Sequence, residues 1–386
     1  MLEVIDGCIG HRSTVWLRNH CQCAACRDPS HGQRVARFNP STLGVSSIEE
    51  NHTDGVVIVT WDDGHMSTFA RELLLNRRSA DVSVEQYAQH FALRDATCIP
   101  RVSGASIIAD DVALLDWLEH LVYGGVAIVQ AQVGQEAFVE PLAKRISGPM
   151  SSMYGNVWDV VTKPNPINIA YSSSELALHM DLVYLESPPG LQFLHCIENG
   201  EGIVGGESQL LDMFLAASDF RVANPDYFET LALLPMSFQK VHYQRRTPVH
   251  IVARRPIFEI DSQTSELVAC HWAPAFEGTL ALDNAAEEKR FYEAYFAFAD
   301  FISTHPATME FRLEAGDVLT FNNRTIAHGR RAFTMAEGAT RRLAGTYVNI
   351  DEFLSRVCTL RTALGRHVDR PLAPIGNRLR PLLNDS

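Results

Sequence analysis

The chain has 386 residues, of which 46% are hydrophobic and 20% charged, and it carries a formal net charge of −13. That balance describes an ordinary globular chain with room for one large domain and a smaller one. The charge argues against a nucleic-acid backbone as partner, and no apolar run approaches the ~20 residues that cross a bilayer. A small cationic or zwitterionic ligand suits the field better. The opening MLEVIDGCIGHRSTVW has neither the basic region nor the apolar stretch of a signal peptide, so the expected compartment is the cytoplasm.

In chain order, residues 1–95 read as a small β-rich domain, with short strand-like runs such as HRSTVWLRN and VVIVTW separated by Gly, Asp and Asn. A core that small needs help, and Cys21, Cys23 and Cys26 crowd into NHCQCAACRDPSH. In a reducing compartment three thiols at that spacing read as metal ligands, with His20, His31 and His65 all able to complete the set. Cys8, Cys98, Cys196, Cys270 and Cys358 are scattered and read as core residues.

Residues 96–386 read as a second domain. DDVALLDWLEHLVYGG predicts a helix opened by Asp110 and Asp111 and closed by Gly124, with Val112, Leu115 and Leu118 on one face. VAIVQAQV then predicts a strand. EEKRFYEAYFAFADFI spaces Phe291, Tyr295, Phe298 and Ile302 as the core stripe of a helix. The runs LQFLHCI, GESQLLDMF, RRPIFEI, DVLTFNN and RLAGTYVNI predict many short strands. The fold class is therefore mainly β, a sandwich or barrel with flanking helices.

The segment LALHMDL, residues 176–182, alternates apolar residues with Ala177, His179 and Asp181. A period of two is a strand signature, and on a strand residues i and i+2 share a face, so His179 and Asp181 can chelate one ion. On a helix they point about 200° apart and cannot. His328, in the turn after FNNRTIAHGRRAF begins, adds a third ligand, and Arg341 follows thirteen residues later. Two histidines and a carboxylate form the facial triad of non-haem Fe(II) oxygenases, which leaves positions open for 2-oxoglutarate and dioxygen.

HMDLVYLESPPGLQFLHCIEN, GGESQLLD and FNNRTIAHGRRAF, together with the N-terminal cysteines, closely resemble the γ-butyrobetaine dioxygenase family, which also contains trimethyllysine dioxygenase. The resemblance covers nearly the whole chain. It implies a double-stranded β-helix (jelly-roll) catalytic domain, Fe(II) and 2-oxoglutarate as cofactors with dioxygen as co-substrate, structural Zn(II), and a homodimer. Residue by residue, it implies iron ligands His179, Asp181 and His328, and Arg341 on the distal carboxylate of 2-oxoglutarate, with Leu194 and Ser208 in the same pocket. WDDGHMSTF selects His65 as the fourth zinc ligand beside Cys21, Cys23 and Cys26.

The same resemblance implies a trimethylammonium cage of Tyr154, Trp158, Tyr171 and Tyr347. A quaternary ammonium donates no hydrogen bond, so aromatic faces are what recognise it. Asn168 matches one of the family's carboxylate-binding asparagines. The second is missing from VACHWAPAFEG, where His271 and Trp272 become the candidate tail contacts. The expected substrate is thus a trimethylammonium zwitterion, either γ-butyrobetaine or 2-(trimethylammonio)ethylphosphonate, with trimethyllysine third. Rival classes are an inactive zinc-stabilised interaction module, which would lack part of the triad, and a metal hydrolase built on the His-x-Asp pair.

Overall fold

A computed structural model describes residues 2–75, 95–161, 172–262, 265–282, 284–366, 372–375 and 378–381. Within 2–366 these fall into two compact units, one covering 2–75 and the other 95–366. Among the described residues no helix is long and apolar enough to cross a membrane.

The first unit contains two small three-stranded antiparallel sheets, and its larger sheet orders Val45–Asn51, Val56–Trp61 and Met66–Ala70. Strict alternation in VVIVTW buries Val57, Val59 and Trp61 on one face, where they meet Ile9, Leu17, Phe69 and Leu74. Trp61 is kept there by donating its indole N–H to Ser67 Oγ at 2.9 Å, which satisfies its polar atom inside the core. The helix Thr14–Asn19 starts where Ser13 Oγ accepts the Trp16 N–H at 3.1 Å.

The second unit is a double-stranded β-helix. Its six-stranded sheet runs Arg101–Ser103, Val126–Gln130, Asp317–Asn322, Leu191–Asn199, Arg341–Val348, Trp158–Val161. Its four-stranded sheet runs Leu176–His179, Ile326–Arg330, Ser208–Asp212, Met309–Phe311. Every pairing is antiparallel except that of Arg101–Ser103 with Val126–Gln130. Along Leu191–Asn199 the alternation is functional: Phe193 packs against Trp117 of a covering helix, ring centroids 5.4 Å apart, while Gln192 and Leu194 face a cavity between the sheets.

That covering helix is Asp111–Tyr123, capped by Asp110, which accepts the Ala113 N–H at 2.8 Å, and closed at Gly124. Its buried face holds Leu114, Leu115, Trp117, Leu118, Leu121 and Val122, whereas Val112 stays exposed because it lies on the first turn, outside that stripe. The helix Ala285–Ser303 buries Phe291, Tyr295, Phe298 and Ile302 as the spacing predicts.

Two expectations need correction. The GESQLLDMF strand stops at Asp212, whose carboxylate accepts the N–H groups of Phe214 and Leu215 at 2.8 and 3.1 Å and starts the helix Met213–Ala223. Pro225–Leu233 follows as a second helix. MFLAAS is apolar on every side, so it carries no period that separates helix from strand. Of the scattered cysteines, Cys196 and Cys270 are buried, Cys8 and Cys358 half-buried, and Cys98 is exposed just before Arg101–Ser103 rather than in a core.

Candidate active site

The cavity between the sheets is lined by residues two apart on neighbouring strands: Trp158 and Val160, Gln192 and Leu194, His328 and Arg330, and Arg341, Leu343 and Tyr347. These are the inward faces of pleated strands, and the outward faces carry the core. Leu176, Leu182, Ser208, Ala275 and Phe276 complete much of the wall.

His179 and His328 sit directly opposite each other in one antiparallel pair, with ring centroids 4.2 Å apart. Gly329 permits the close approach: a Cβ there would come within 2.7 Å of the Leu176 carbonyl oxygen. Asp181 completes the group, its Oδ1 3.5 Å from His179 Nε2 and its Oδ2 3.9 Å from His328 Nε2. One ligand atom from each of the three lies within 4.8 Å of the others. The strand ends at His179, however, so Asp181 is not aimed by strand register. It lies in a turn that reverses at Leu182, whose φ is 57°.

What aims Asp181 is tertiary. The buried Asn323 accepts the Asp181 N–H at 2.8 Å and donates Nδ2 to the Asp181 carbonyl at 3.0 Å, so it holds the peptide from both sides. Asn323 lies between the strands Asp317–Asn322 and Ile326–Arg330, and the second of these carries His328. Tyr347 donates its hydroxyl to Asp181 Oδ2 at 2.7 Å.

The electrostatics suit a divalent cation. Burial alone would raise the Asp181 pKa, but its bond to His179 and the two imidazoles hold it well below the usual carboxylate range. Burial and the neighbouring His179 push His328 down to about 3, so its imidazole is neutral. His179 donates Nδ1–H to the Ala177 carbonyl at 2.9 Å, which turns Nε2 toward Asp181 and His328; burial opposes its charge, yet the bond to Asp181 raises its pKa, so a bound cation would take the place of the Nε2 proton. A carboxylate and two ring nitrogens converging on one point fit Fe(II).

Beyond the triad, Arg341 lines the cavity with its guanidinium 5.2 Å from the Phe333 ring centroid. Burial lowers its pKa, and among the described residues no carboxylate or hydrogen-bond partner engages it. Leu194 and Ser208 share the wall. Arg330 also lines it, but two of its bonds are internal, to the carbonyls of Ser172 and Ser174 at 2.7 and 2.6 Å.

Tyr154, Trp158 and Tyr347 come together on the same cavity, with centroids 6.3 Å apart for the first pair and 4.2 Å for the second. Gly345 seats the indole: a Cβ there would meet Trp158 Cε2 at 2.6 Å, so any larger residue displaces the ring. Asn168 and Tyr171 lie outside the described residues.

His271 and Trp272 do not line the cavity. Trp272 is fully buried against Tyr295 and Phe298, centroids 4.8 and 5.1 Å away, because an indole gains more from that aromatic core than from a wet wall. His271 pairs with Glu259 at 2.9 Å. The wall at this end comes from Ala275 and Phe276, four residues further on. Gln192 and Asn323 were also hidden in the sequence. A glutamine inside the otherwise apolar LQFL was the available signal for the first, whose buried Oε1 has no partner among the described residues.

In the first unit, Cys21, Cys23, Cys26 and His65 converge, with sulfur to His65 Nε2 distances of 3.3, 3.6 and 3.6 Å. Tetrahedral Zn(II), with Zn–S about 2.3 Å and Zn–N about 2.05 Å, requires roughly 3.5 Å between sulfur and nitrogen, so the cluster fits the ion. Burial and Cys21 push the Cys26 thiol up to about 11, and a bound Zn(II) overrides this by deprotonating its thiols. Three thiolates leave the site one charge negative. The buried Arg18 faces that charge, with Nη1 3.5 Å from Cys26 Sγ and Nη2 2.8 Å from Asp63 Oδ2. His20 instead stacks on Trp16 at 3.8 Å, and the side chain of His31 is exposed near Asp28.

Comparison with known proteins agrees with this geometry. Residues 83–347 match the family described as taurine catabolism dioxygenase TauD, TfdA, and residues 3–75 match the gamma-butyrobetaine hydroxylase-like N-terminal domain. Gamma-butyrobetaine dioxygenase of Pseudomonas sp. (strain AK-1) is 30% identical over 365 residues, covering 92% of each chain. Mitochondrial trimethyllysine dioxygenase of Gallus gallus is 25% identical, covering 88% of this chain and 81% of that one. A taurine dioxygenase structure from Burkholderia xenovorans aligns with a TM-score of 0.46 at 16% identity, covering 72% of this chain and 89% of that one. The chain belongs to the TauD, TfdA family and is an Fe(II)- and 2-oxoglutarate-dependent dioxygenase.

Proposed function

We propose that this dioxygenase hydroxylates an unactivated carbon of a small trimethylammonium zwitterion, with γ-butyrobetaine and 2-(trimethylammonio)ethylphosphonate as the leading substrates and trimethyllysine as the alternative. The observation that carries the reading is the convergence of Tyr154, Trp158 and Tyr347 on the cavity that also holds His179, Asp181 and His328. Fe(II), 2-oxoglutarate and dioxygen together supply the oxidising chemistry when bound. The chain supplies positioning and exclusion of water. In this reading His179, Asp181 and His328 hold the iron, Arg341 grips the distal carboxylate of 2-oxoglutarate beside Leu194 and Ser208, and the aromatic faces hold the trimethylammonium head.

Two substitutions test the roles separately. Trp158→Ala removes a desolvated cation–π face worth about 2 kcal/mol, so KM for the trimethylammonium substrate rises roughly thirtyfold in steady-state assays. An unchanged KM removes Trp158 from the cage. Arg341→Gln deletes a planar charged fork that suits a carboxylate, a bond of roughly 1.5–3 kcal/mol, and raises KM for 2-oxoglutarate by at least about tenfold, with Arg341→Lys in between. Equal KM values in all three proteins would assign that carboxylate to another residue.

The substrate itself is tested by incubating each compound with the enzyme under oxygen and looking for a product sixteen mass units heavier. Succinate without any hydroxylated product from all of them would defeat the cage reading. The proposal extends to a homodimer in the cytoplasm, with sedimentation velocity as the check on the dimer. An inactive zinc-stabilised module would need a broken triad, and the three ligands are all present.

A further inference from the structure

Residues 236–255 read MSFQKVHYQRRTPVHIVARR, which carry five lysines and arginines and no aspartate or glutamate, in a chain with 46 acids against 33 bases. They form a hairpin of Met236–His242 with Val249–Arg255, paired in unbroken register. The first strand also joins the cavity wall: Phe238 bridges to Glu277, and Gly278 donates its N–H to the Ser237 carbonyl at 2.7 Å. This docks the most basic stretch of an acidic protein against Phe276.

Two of the five cations stand on rings at the aromatic end of the cavity, although neither is itself a lining residue. The Lys240 ammonium lies 5.2 Å from the Phe276 centroid, and the Arg245 guanidinium lies 5.5 Å from that of Tyr154. Both rings line the cavity. Arg245 is fixed by donating Nη2 to the Met153 carbonyl at 2.6 Å, and Tyr184 ties the two rings together, edge-on to Phe276 at 5.0 Å with its hydroxyl 3.7 Å from Met153 Sδ. Lys240 is half-buried and has no hydrogen-bond or carboxylate partner among the described residues. Burial and the positive charge of Arg245 both lower its pKa, so the two cations repel each other.

Such a pair is unfavourable until an anion arrives. The geometry points to Lys240 and Arg245 as the subsite for the anionic tail of the substrate, a carboxylate or a phosphonate, at the Tyr154–Phe276 end of the cavity. This rests on the trimethylammonium reading above and extends it. The subsite takes over a task that VACHWAPAFEG, without an asparagine, with Trp272 in the aromatic core and His271 paired with Glu259, does not perform. It also selects by repulsion. A trimethylammonium cation without a tail enters a cage flanked by two like charges, whereas a zwitterion brings the anion that neutralises them.

The test is an anaerobic titration of the full-length protein loaded with Fe(II) and 2-oxoglutarate, reading the substrate-induced change in its charge-transfer band. The ligands are γ-butyrobetaine, 2-(trimethylammonio)ethylphosphonate and the tailless butyltrimethylammonium. The parent protein is expected to bind at least one zwitterion ten or more times more tightly than the tailless cation, and the tighter zwitterion identifies the tail. Lys240→Gln and Arg245→Gln each reduce that ratio about tenfold, and Lys240→Arg retains most of it. Because Arg245 also braces Met153, the Lys240 pair carries the decision. A ratio unchanged in Lys240→Gln overturns the subsite while the cage stands, provided Trp158→Ala still weakens all three ligands. If none of the three perturbs the band, the subsite and the trimethylammonium reading fall together.

Discussion

Asp181→Ala is expected to bind Fe(II) at least a hundredfold more weakly than the parent chain and to lose substrate-dependent turnover, while the chain still folds cooperatively. Removing a partner of a metal ligand typically costs 10–100-fold in affinity or activity, and removing the ligand itself exceeds that. The substitution takes away the one anionic ligand of the set and leaves two imidazoles, of which His328 is already held neutral by burial. It also leaves the buried Tyr347 hydroxyl without its 2.7 Å acceptor, a local cost of about 1–3 kcal/mol, but deletes no part of the apolar core, because Asp181 lies in a turn beyond the strand. Anaerobic titration with Fe(II) and 2-oxoglutarate, followed by visible absorbance, makes the measurement. A charge-transfer band of parental intensity at the same iron concentration would show that the carboxylate is not a ligand.

Loss of zinc is expected to unfold the first unit. A structural Zn(II) contributes an apparent binding free energy of about 10–16 kcal/mol, far more than the few kcal/mol that a small core supplies by itself. Here that core is built around Ile9, Leu17, Val57, Val59, Trp61, Phe69, Leu73 and Leu74. Cys26→Ser and His65→Ala should each purify without stoichiometric zinc and become sensitive to protease within residues 2–75, while His20→Ala and His31→Ala retain the metal. Elemental analysis with limited proteolysis reads both effects, and a parent chain stripped of zinc yet still protected would refute the structural role. Arg18→Ala is a milder case. It removes the cation facing the thiolates, and faster loss of zinc to a chelator is the expected result.

Cys21, Cys23, Cys26, His179, Asp181 and His328 were legible as candidate metal ligands because ligand chemistry is discrete, whereas His65 and Arg341 were singled out by the family resemblance. Few side chains bind a metal, and their spacing is constrained by the backbone they sit on. Periodicity likewise gave the helix Ala285–Ser303, whose apolar positions recur at helical spacing, and the short apolar run LQFLHCI marked the strand Leu191–Asn199. Periodicity failed at the start of Met213–Ala223, where MFLAA is apolar on every side and has no face to announce. It was also incomplete at LALHMDL, where the alternation is real but the strand ends at His179, and Asp181 reaches the triad through Asn323, more than a hundred residues away in the chain.

The tail contacts show the same division. The family resemblance located the missing asparagine in VACHWAPAFEG and made His271 and Trp272 the candidate tail contacts. Which side chains of that stretch face the cavity depends on what else competes for them: the aromatic core took Trp272, and Glu259 took His271. Lys240 and Arg245 arrive from a hairpin docked beside Glu277. Composition alone determined the chemistry this chain has available, since charge, thiols and imidazoles are properties of residues. Only the tertiary structure decided which of them share a cavity, because that is fixed by strand pairing and burial between segments far apart in the chain.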